Sequence, residues 1–258
     1  MGSIERRQRE REEMRGLIAR TAMKLFLSEG FEKTSMRRIA EAIEYTPGAL
    51  YGYFKDKDEI LYAIHTEGMD RLYEAMKPAE SVRDPAEALR VCCQSYVKFA
   101  LSNREYYDLM FIMDATGNKI KEKEDWREGL RTYDVLRRCV YRAMEAGMMM
   151  PGNPEAAAFM MWSTVHGMMA LLIRNRCAMF DDAALPAMIE GTSQYMMESQ
   201  RLAAISADRP QAPLRLPDFV PFSGLKPEGI QHVRALPKGG RAKPTPKTPR
   251  KKTKNKGA

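Results

Sequence analysis

Residues 46–54 read Thr46-Pro47-Gly48-Ala49-Leu50-Tyr51-Gly52-Tyr53-Phe54. Two turn-forming residues stand near the start, yet Leu50 and Phe54 are four apart, as on one face of a helix. Thr46 suits an N-cap, because its side-chain oxygen can accept from a first-turn N–H. Pro47 then falls at the first helical position, where its missing N–H costs nothing and its φ already fits. Gly48 removes a side chain from the leading end, so the backbone can come close to another surface. Tyr51 and Tyr53 point away from the Leu50–Phe54 face with hydroxyls to offer. A helix of about two turns is too short to stand alone and must pack on something.

Upstream, Met14, Leu17, Ile18, Ala22, Leu25 and Phe26 recur at three- and four-residue steps and predict a first helix that stops at Gly30, with residues 1–10 frayed. Thr34 or Ser35 caps a second, short helix from Met36 to about Ile43, with Ile39 and Ala40 inward. Downstream, Lys55-Asp56-Lys57-Asp58-Glu59-Ile60-Leu61 opens a fourth helix whose apolar positions run through Ile64, Met69, Leu72 and Met76 to a stop at Pro78. Two short helices joined by a tight turn, about 35–54, have the layout of a helix-turn-helix, whose second helix enters the major groove by its N-terminal end. An ordinary helical hairpin is the competing reading.

Asp84 and Pro85 mark a fresh helix start. Helical patterns follow at about 85–102, 104–114, 122–147, 154–176 and 181–204, and period-two runs are absent, so the fold class is all-α. Twelve of the 20 methionines lie between residues 139 and 207. Methionine adapts its shape to cores and to binding surfaces alike. Phe99, Tyr107, Met110, Met113, Trp126, Tyr133, Trp162 and His166, with Tyr106 and Phe111, are the candidates to surround an apolar cavity between helices. The same residue types serve any helical core. Trp162, His166, Met169 and Ile173 share one helical face. Ser163, Gly167 and Ala170 lie beside it, where small side chains let another helix approach closely.

The chain has 258 residues and a net charge of +8, unevenly placed. Residues 208–258 hold 13 Lys and Arg against 3 Asp and Glu, and 9 of the 15 prolines. That leaves −2 on the rest, so the basic balance belongs to a Pro- and Lys-rich tail expected to be disordered. No run nears the roughly 18 consecutive apolar residues of a membrane span. The charged N-terminus lacks a secretory apolar core. Cys92, Cys93, Cys139 and Cys177 show no C-x-x-C spacing and read as reduced thiols of the cytoplasm. His65, His166 and His232 form no ligand-spaced cluster, so no metal or cofactor is expected. Catalytic constellations are missing too.

The stretch Thr21–Leu61, with Pro47-Gly48-Ala49-Leu50-Tyr51-Gly52-Tyr53-Phe54-Lys55-Asp56-Lys57 within it, resembles the DNA-binding domain of TetR-family transcriptional regulators over about residues 12–72. The resemblance implies that Arg37 reaches a base edge. It places Thr46, Pro47, Gly48 and Ala49 at the leading end of the recognition helix, Tyr51 and Tyr53 on DNA, chiefly its backbone, and Lys57 on a phosphate. Two positions depart from the family pattern. Glu44 stands where relatives have a turn glycine, and Gly52 where many carry a larger contacting side chain. Residues 95–111 and Trp162-Ser163-Thr164-Val165-His166-Gly167 resemble the regulatory domain of a TetR subgroup with a Trp…His-Gly signature, over about 85–200. The last two helices of such subunits form an intersubunit four-helix bundle, which implies a homodimer.

The expected organisation is a DNA-binding domain at 12–72, a regulatory and dimerisation domain at 85–204, and the tail at 208–258. The expected partners are a palindromic double-stranded operator, a small apolar effector and a second copy of the chain, with no membrane. The expected function is transcriptional regulation, with release of a repressor by its effector. The alternative is a protein that coats nucleic acid through its basic tail with little sequence choice.

Overall fold

The structure is a computed structural model and describes residues 2–122 and 127–207. The tail at 208–258 lies outside the described residues. Among the described residues ten α-helices follow in order: α1 Ser3–Glu29, α2 Met36–Ala42, α3 Pro47–Tyr51, α4 Lys57–Met76, α5 Pro85–Ser102, α6 Arg104–Tyr107, α7 Asp114–Glu122, α8 Arg127–Glu145, α9 Pro154–Ile173 and α10 Leu185–Ala207. No strand occurs among the described residues.

The first helix begins earlier than its apolar pattern. Residues expected to fray are helical because they carry their own support. The Gly2 N–H donates to Glu5 Oε2 at 3.0 Å, Gln8 donates to Glu12 at 3.3 Å, and Arg6 pairs with Glu10 at 3.5 Å. Expected helix starts coincide with real caps. Ser35 Oγ accepts from Arg38 N, Asp56 from Glu59 N, and Asp84 from Glu87 N. Thr34, the other candidate cap, is buried and donates to Gly30 O at 2.9 Å instead.

The segment expected as one helix over 104–114 is α6 continued as a π-turn, Asp108–Ile112. The wider turn presses this segment onto α4. A Cβ added at Gly68 would collide with Met110 Sδ and come within 3.0 Å of Tyr106 Cδ1, so only glycine fits there. Arg174, at the C-cap of α9, pairs with Asp108 at 2.7 Å and ties the π-turn down from the other side.

One continuous apolar core joins the first helices to the last. Ile60, Leu61 and Ile64 of α4 are buried with Ile18, Ala22 and Phe26 of α1, while Met69, Leu72 and Met76 of the same helix are buried toward α5 and α8. Thus α4 is shared by both halves. α9 is long and apolar enough to pass for a membrane span, yet under a quarter of it is buried. Phe159, Met160 and Leu171 on α9, and Met188, Tyr195, Leu202 and Ile205 on α10, are exposed. Scattered exposed apolar residues are ordinary, but two adjacent helices lined with them form a surface suited to a partner.

Candidate nucleic-acid interface and apolar cavity

The turn between α2 and α3 closes on Ala40. Ile43 N and Tyr45 N both donate to its carbonyl, at 3.2 and 2.9 Å. Glu44 carries φ of +59°, a left-handed conformation that L side chains disfavour. Thr46 caps α3, accepting from Ala49 N at 3.4 Å, and Pro47 holds the first turn. α3 has only five residues, shorter than its pattern suggested. Leu50 and Phe54 are buried beneath it.

What holds so short a helix is α1. Arg11 Nη2 donates to Gly52 O at 2.9 Å, and Arg15 donates to Tyr53 O. The Arg15 guanidinium also sits 3.9 Å above the Phe54 ring, and that of Arg11 lies 5.3 Å above Tyr53. Two cations therefore cap the carbonyl end of α3, where the helix dipole is negative. The sequence reading missed both arginines. The available signal was thin: two arginines four apart, one turn before Ile18 on a charged helix.

Thr46, Pro47, Gly48 and Tyr51 are exposed, Ala49 is half-buried, and Tyr53 is half-buried beside Arg11. Arg37 projects from α2 with its side chain 80 % exposed and pairs with Glu41 at 2.9 Å. An exposed pair of this kind holds its partners weakly and yields readily. Lys57 is placed differently. Its Nζ donates to Phe31 O at 2.8 Å and lies 4.3 Å above the Phe31 ring. It therefore ties α4 to the loop after α1 whatever else it touches. Arg38, next to Arg37, turns inward to a paired contact with Glu29 at 2.7 and 3.0 Å.

The other half encloses a cavity of about 300 Å³ between α4, α5, α8 and α9. Its wall includes Leu72 and Met76 of α4, Tyr96 of α5, Leu136 of α8, and Trp162 and Val165 of α9. Leu130 and Phe159, each 59 % exposed, mark where it opens. Of the residues expected around a cavity, Tyr133, Trp162 and Phe111 are on the wall. Phe99, Tyr107 and Met110 are buried in packed core instead, and Met113 is half-buried against it. The π-turn explains the division, because it carries Met110 onto Gly68 and Phe111 toward His166, ring centroids 5.4 Å apart. Trp126 lies outside the described residues.

His166 stands behind the wall. Its Nδ1 is 3.0 Å from Tyr96 Oη and 2.8 Å from Tyr107 Oη, and Tyr107 also donates to the His166 carbonyl at 3.0 Å. Burial lowers the imidazole pKa and pushes Tyr96 up to about 12, so this cluster is neutral at ordinary pH. Tyr96 is a wall residue that the sequence reading did not single out. Ser163 is exposed, and Gly167 and Ala170 are half-exposed. A Cβ at Gly167 would meet nothing within 4 Å in a single copy. Cys92, Cys93 and Cys139 are buried free thiols. Among the described residues no three His, Cys, Asp or Glu side chains converge as metal ligands.

Two family descriptions match this chain. Residues 18–64 match the bacterial regulatory proteins of the tetR family, and residues 89–190 match the tetracyclin repressor-like C-terminal domain. An HTH-type transcriptional regulator of Staphylococcus aureus strain USA300 is 29% identical over 115 residues, 44% of this chain and 60% of the relative. The chain thus spans about 60% of the length of the curated relatives it matches. Three solved structures share the fold. The fatty acid degradation regulator FadR from Bacillus halodurans has a TM-score of 0.59 at 18% identity, covering 71% of this chain and 94% of that one. The TetR-family regulator PfmR from Thermus thermophilus has a TM-score of 0.53 at 23% identity, over 74% and 99% of the two chains. AibR, solved with isovaleryl coenzyme A and operator DNA, has a TM-score of 0.54 at 21% identity, over 72% and 97%.

Proposed function

Since the chain belongs to the TetR family, we propose that it is a cytoplasmic, homodimeric transcriptional repressor that leaves its operator when a small apolar molecule fills the cavity. The observation that carries this reading is α4. Its first residue, Lys57, is tied to the loop between α1 and α2, while Leu72 and Met76 near its other end form cavity wall. An occupant that displaces the wall moves the element on which the DNA-binding unit stands. The effector must favour that displaced state, or nothing shifts.

In this reading the leading end of α3, Thr46 to Ala49, enters the major groove, with Tyr51, Tyr53 and Lys57 on the backbone and Arg37 on a base edge. The apolar faces of α9 and α10 pair with those of a second copy, with Ser163, Gly167 and Ala170 at the close approach. Two such units then meet half-sites roughly 34–36 Å apart. The test is genome-wide mapping of bound DNA, followed by binding to the recovered duplex and a scrambled one. A palindrome bound at least a hundredfold tighter than its scramble is expected. Equal binding to both rejects the reading.

A further inference from the structure

α1 runs outward for more than two turns beyond the point where its buried side ends, and its charges there are sorted by face. Residues 4–13 are exposed, whereas Ile18, Ala22 and Phe26 further along are buried. Residues 3–13 hold four arginines and four glutamates, so the segment is neutral as a whole. A helix turns about 100° per residue, so Arg7, Arg11 and Arg15 follow at four-residue steps the line that Ile18 and Ala22 continue into the core. Glu5, Glu12 and Glu13 are turned more than about 100° from that line. Glu10, nearer to it, is taken by Arg6 at 3.5 Å. Solvation asks for no such sorting, since pairs along a helix need only opposite signs three or four residues apart.

Two contacts fix what the arginine line faces. Arg11 Nη2 donates to Gly52 O at 2.9 Å, with its guanidinium 5.3 Å above the Tyr53 ring, and Arg15 donates to Tyr53 O. At Arg11 the line has therefore reached the residues that follow α3, beside the tyrosines set on the DNA backbone in the functional reading. One turn further out, about 6 Å along the axis, Arg7 is exposed and pairs with no carboxylate among the described residues. Arg11 is exposed as well, and a guanidinium that gives one hydrogen to Gly52 O keeps further N–H donors for another acceptor. The glutamates stand on the other side of the helix, where they would not repel a phosphate met by this face. Charge, face and continuity with the surface of α3 agree on one partner.

We infer that the outer part of α1 is a second DNA-contacting surface, on which Arg7 and the remaining donors of Arg11 hold phosphates next to those met by Tyr51 and Tyr53. This rests on the operator-binding reading above and deepens it. Phosphate contacts position a protein and carry no base information, so the surface adds affinity and salt dependence without sequence choice.

The experiment compares Arg7→Gln with Arg9→Gln in the full chain. Both remove one positive charge from the same helix, but Arg9 stands about 160° from Arg7 around the axis. Binding to the recovered operator and to its scramble is measured across a salt series. Each phosphate contact contributes about 0.9 to the slope of log affinity against log salt, so Arg7→Gln should lower the slope by about 2 for two subunits. Affinity at low salt should fall about tenfold on both duplexes, leaving their ratio and the melting temperature unchanged. Arg9→Gln should move the slope little. An unchanged slope in Arg7→Gln overturns the inference. Equal losses in the two variants also overturn it, because they mean a diffuse field in place of a contact. A loss confined to the operator overturns it too, by making Arg7 a base reader. The parent separates these failures from that of the functional reading. Selective binding by the parent with any of those outcomes sinks this inference alone, whereas equal binding of the parent to operator and scramble sinks the functional reading.

Discussion

The α1–α3 region and the α5–α9 region are held together by different means. In the first, short helices are fixed by groups that leave little choice: caps at Ser35 and Thr46, arginines on the two carbonyls just past α3, the Arg38–Glu29 pair, and Lys57 on Phe31 O. In the second, long helices meet through methionine, leucine and aromatic surfaces, and they leave a cavity inside and an apolar face outside. A polar tie works at one distance and angle, so a unit built from such ties presents a fixed surface. An apolar contact tolerates sliding, so a unit built from those can change shape around an occupant. That difference suits one region to reading a rigid duplex and the other to responding.

The strongest test of this contrast is Phe54→Ala. Phe54 is 2 % exposed and lies under both α3 and Arg15. Truncating such a residue costs about 3–5 kcal/mol. Hydrogen exchange should show α2 and α3 opened while α5, α8 and α9 remain protected, with DNA binding gone. Trp162→Ala on the cavity wall should cost less in melting temperature. Loss of protection everywhere at once in Phe54→Ala would show that α4 makes the two regions one cooperative unit, and the contrast would then be structural only.

A second test concerns His65, buried on α4 between the regions, whose pKa burial pushes down to about 4. The unfolded chain takes up a proton near pH 6.5, and the folded one does not until near pH 4. Stability is therefore complete above pH 6.5 and declines as pH falls toward 4, by at most about 3 kcal/mol for a shift of that size. His166 is shifted in the same direction. Melting temperature recorded from pH 7 to pH 5 should fall less in His65→Gln than in the parent. Parallel curves would mean that His65 accepts its proton without unfolding cost.

Lys57 and Arg37 sharpen the comparison within the DNA-facing unit. Lys57→Ala should lower stability by about 1.5–3 kcal/mol, the worth of a charge-assisted hydrogen bond, as well as lowering affinity for specific and random DNA alike. Arg37→Ala, losing only an exposed pair with Glu41, should leave melting unchanged and relax preference at one base pair per half-site by about 1–3 kcal/mol. If Lys57→Ala melts like the parent, its contact with Phe31 is decorative. If Arg37→Ala keeps full base preference, the assigned reader is wrong.

The same contrast sets how much the sequence disclosed. Caps and turns demand particular residue types, so Thr46, Pro47, Ser35 and Asp84 announced helix starts within a residue of where they occur. Leu50 and Phe54 announced the buried side of α3 for the same reason. Methionines and aromatics in α5–α9 are interchangeable in pattern, so the sequence showed that a core exists but not which members face a void. Phe111 and Met110 are neighbours in the chain, and only the π-turn sends one to the cavity and the other to Gly68. Arg11 and Arg15 were hidden for another reason: their targets are backbone carbonyls about forty residues away, which leave no trace in side-chain pattern.

The smallest expected effect compares one backbone feature across the two regions. Among the described residues, two non-glycine residues have positive φ, Glu44 at 59° in the turn before α3 and Asn175 at 53° after α9. Asparagine visits this conformation readily because its short amide can bond locally, whereas glutamate meets the full steric cost of its Cβ. Glycine removes that cost but adds freedom to the unfolded chain, so the two effects oppose one another. For Glu44→Gly relief should win, by up to about 1 kcal/mol, because the strain at a glutamate exceeds the entropy of a glycine. For Asn175→Gly the balance should lie near zero or slightly below. The check is paired melting curves of the two single variants against the parent. A gain at Glu44 alone means that the turn before the recognition helix carries strain of its own. Equal gains would make the two turns equivalent, and a loss at Glu44 would show that its side chain supports the turn in spite of the backbone.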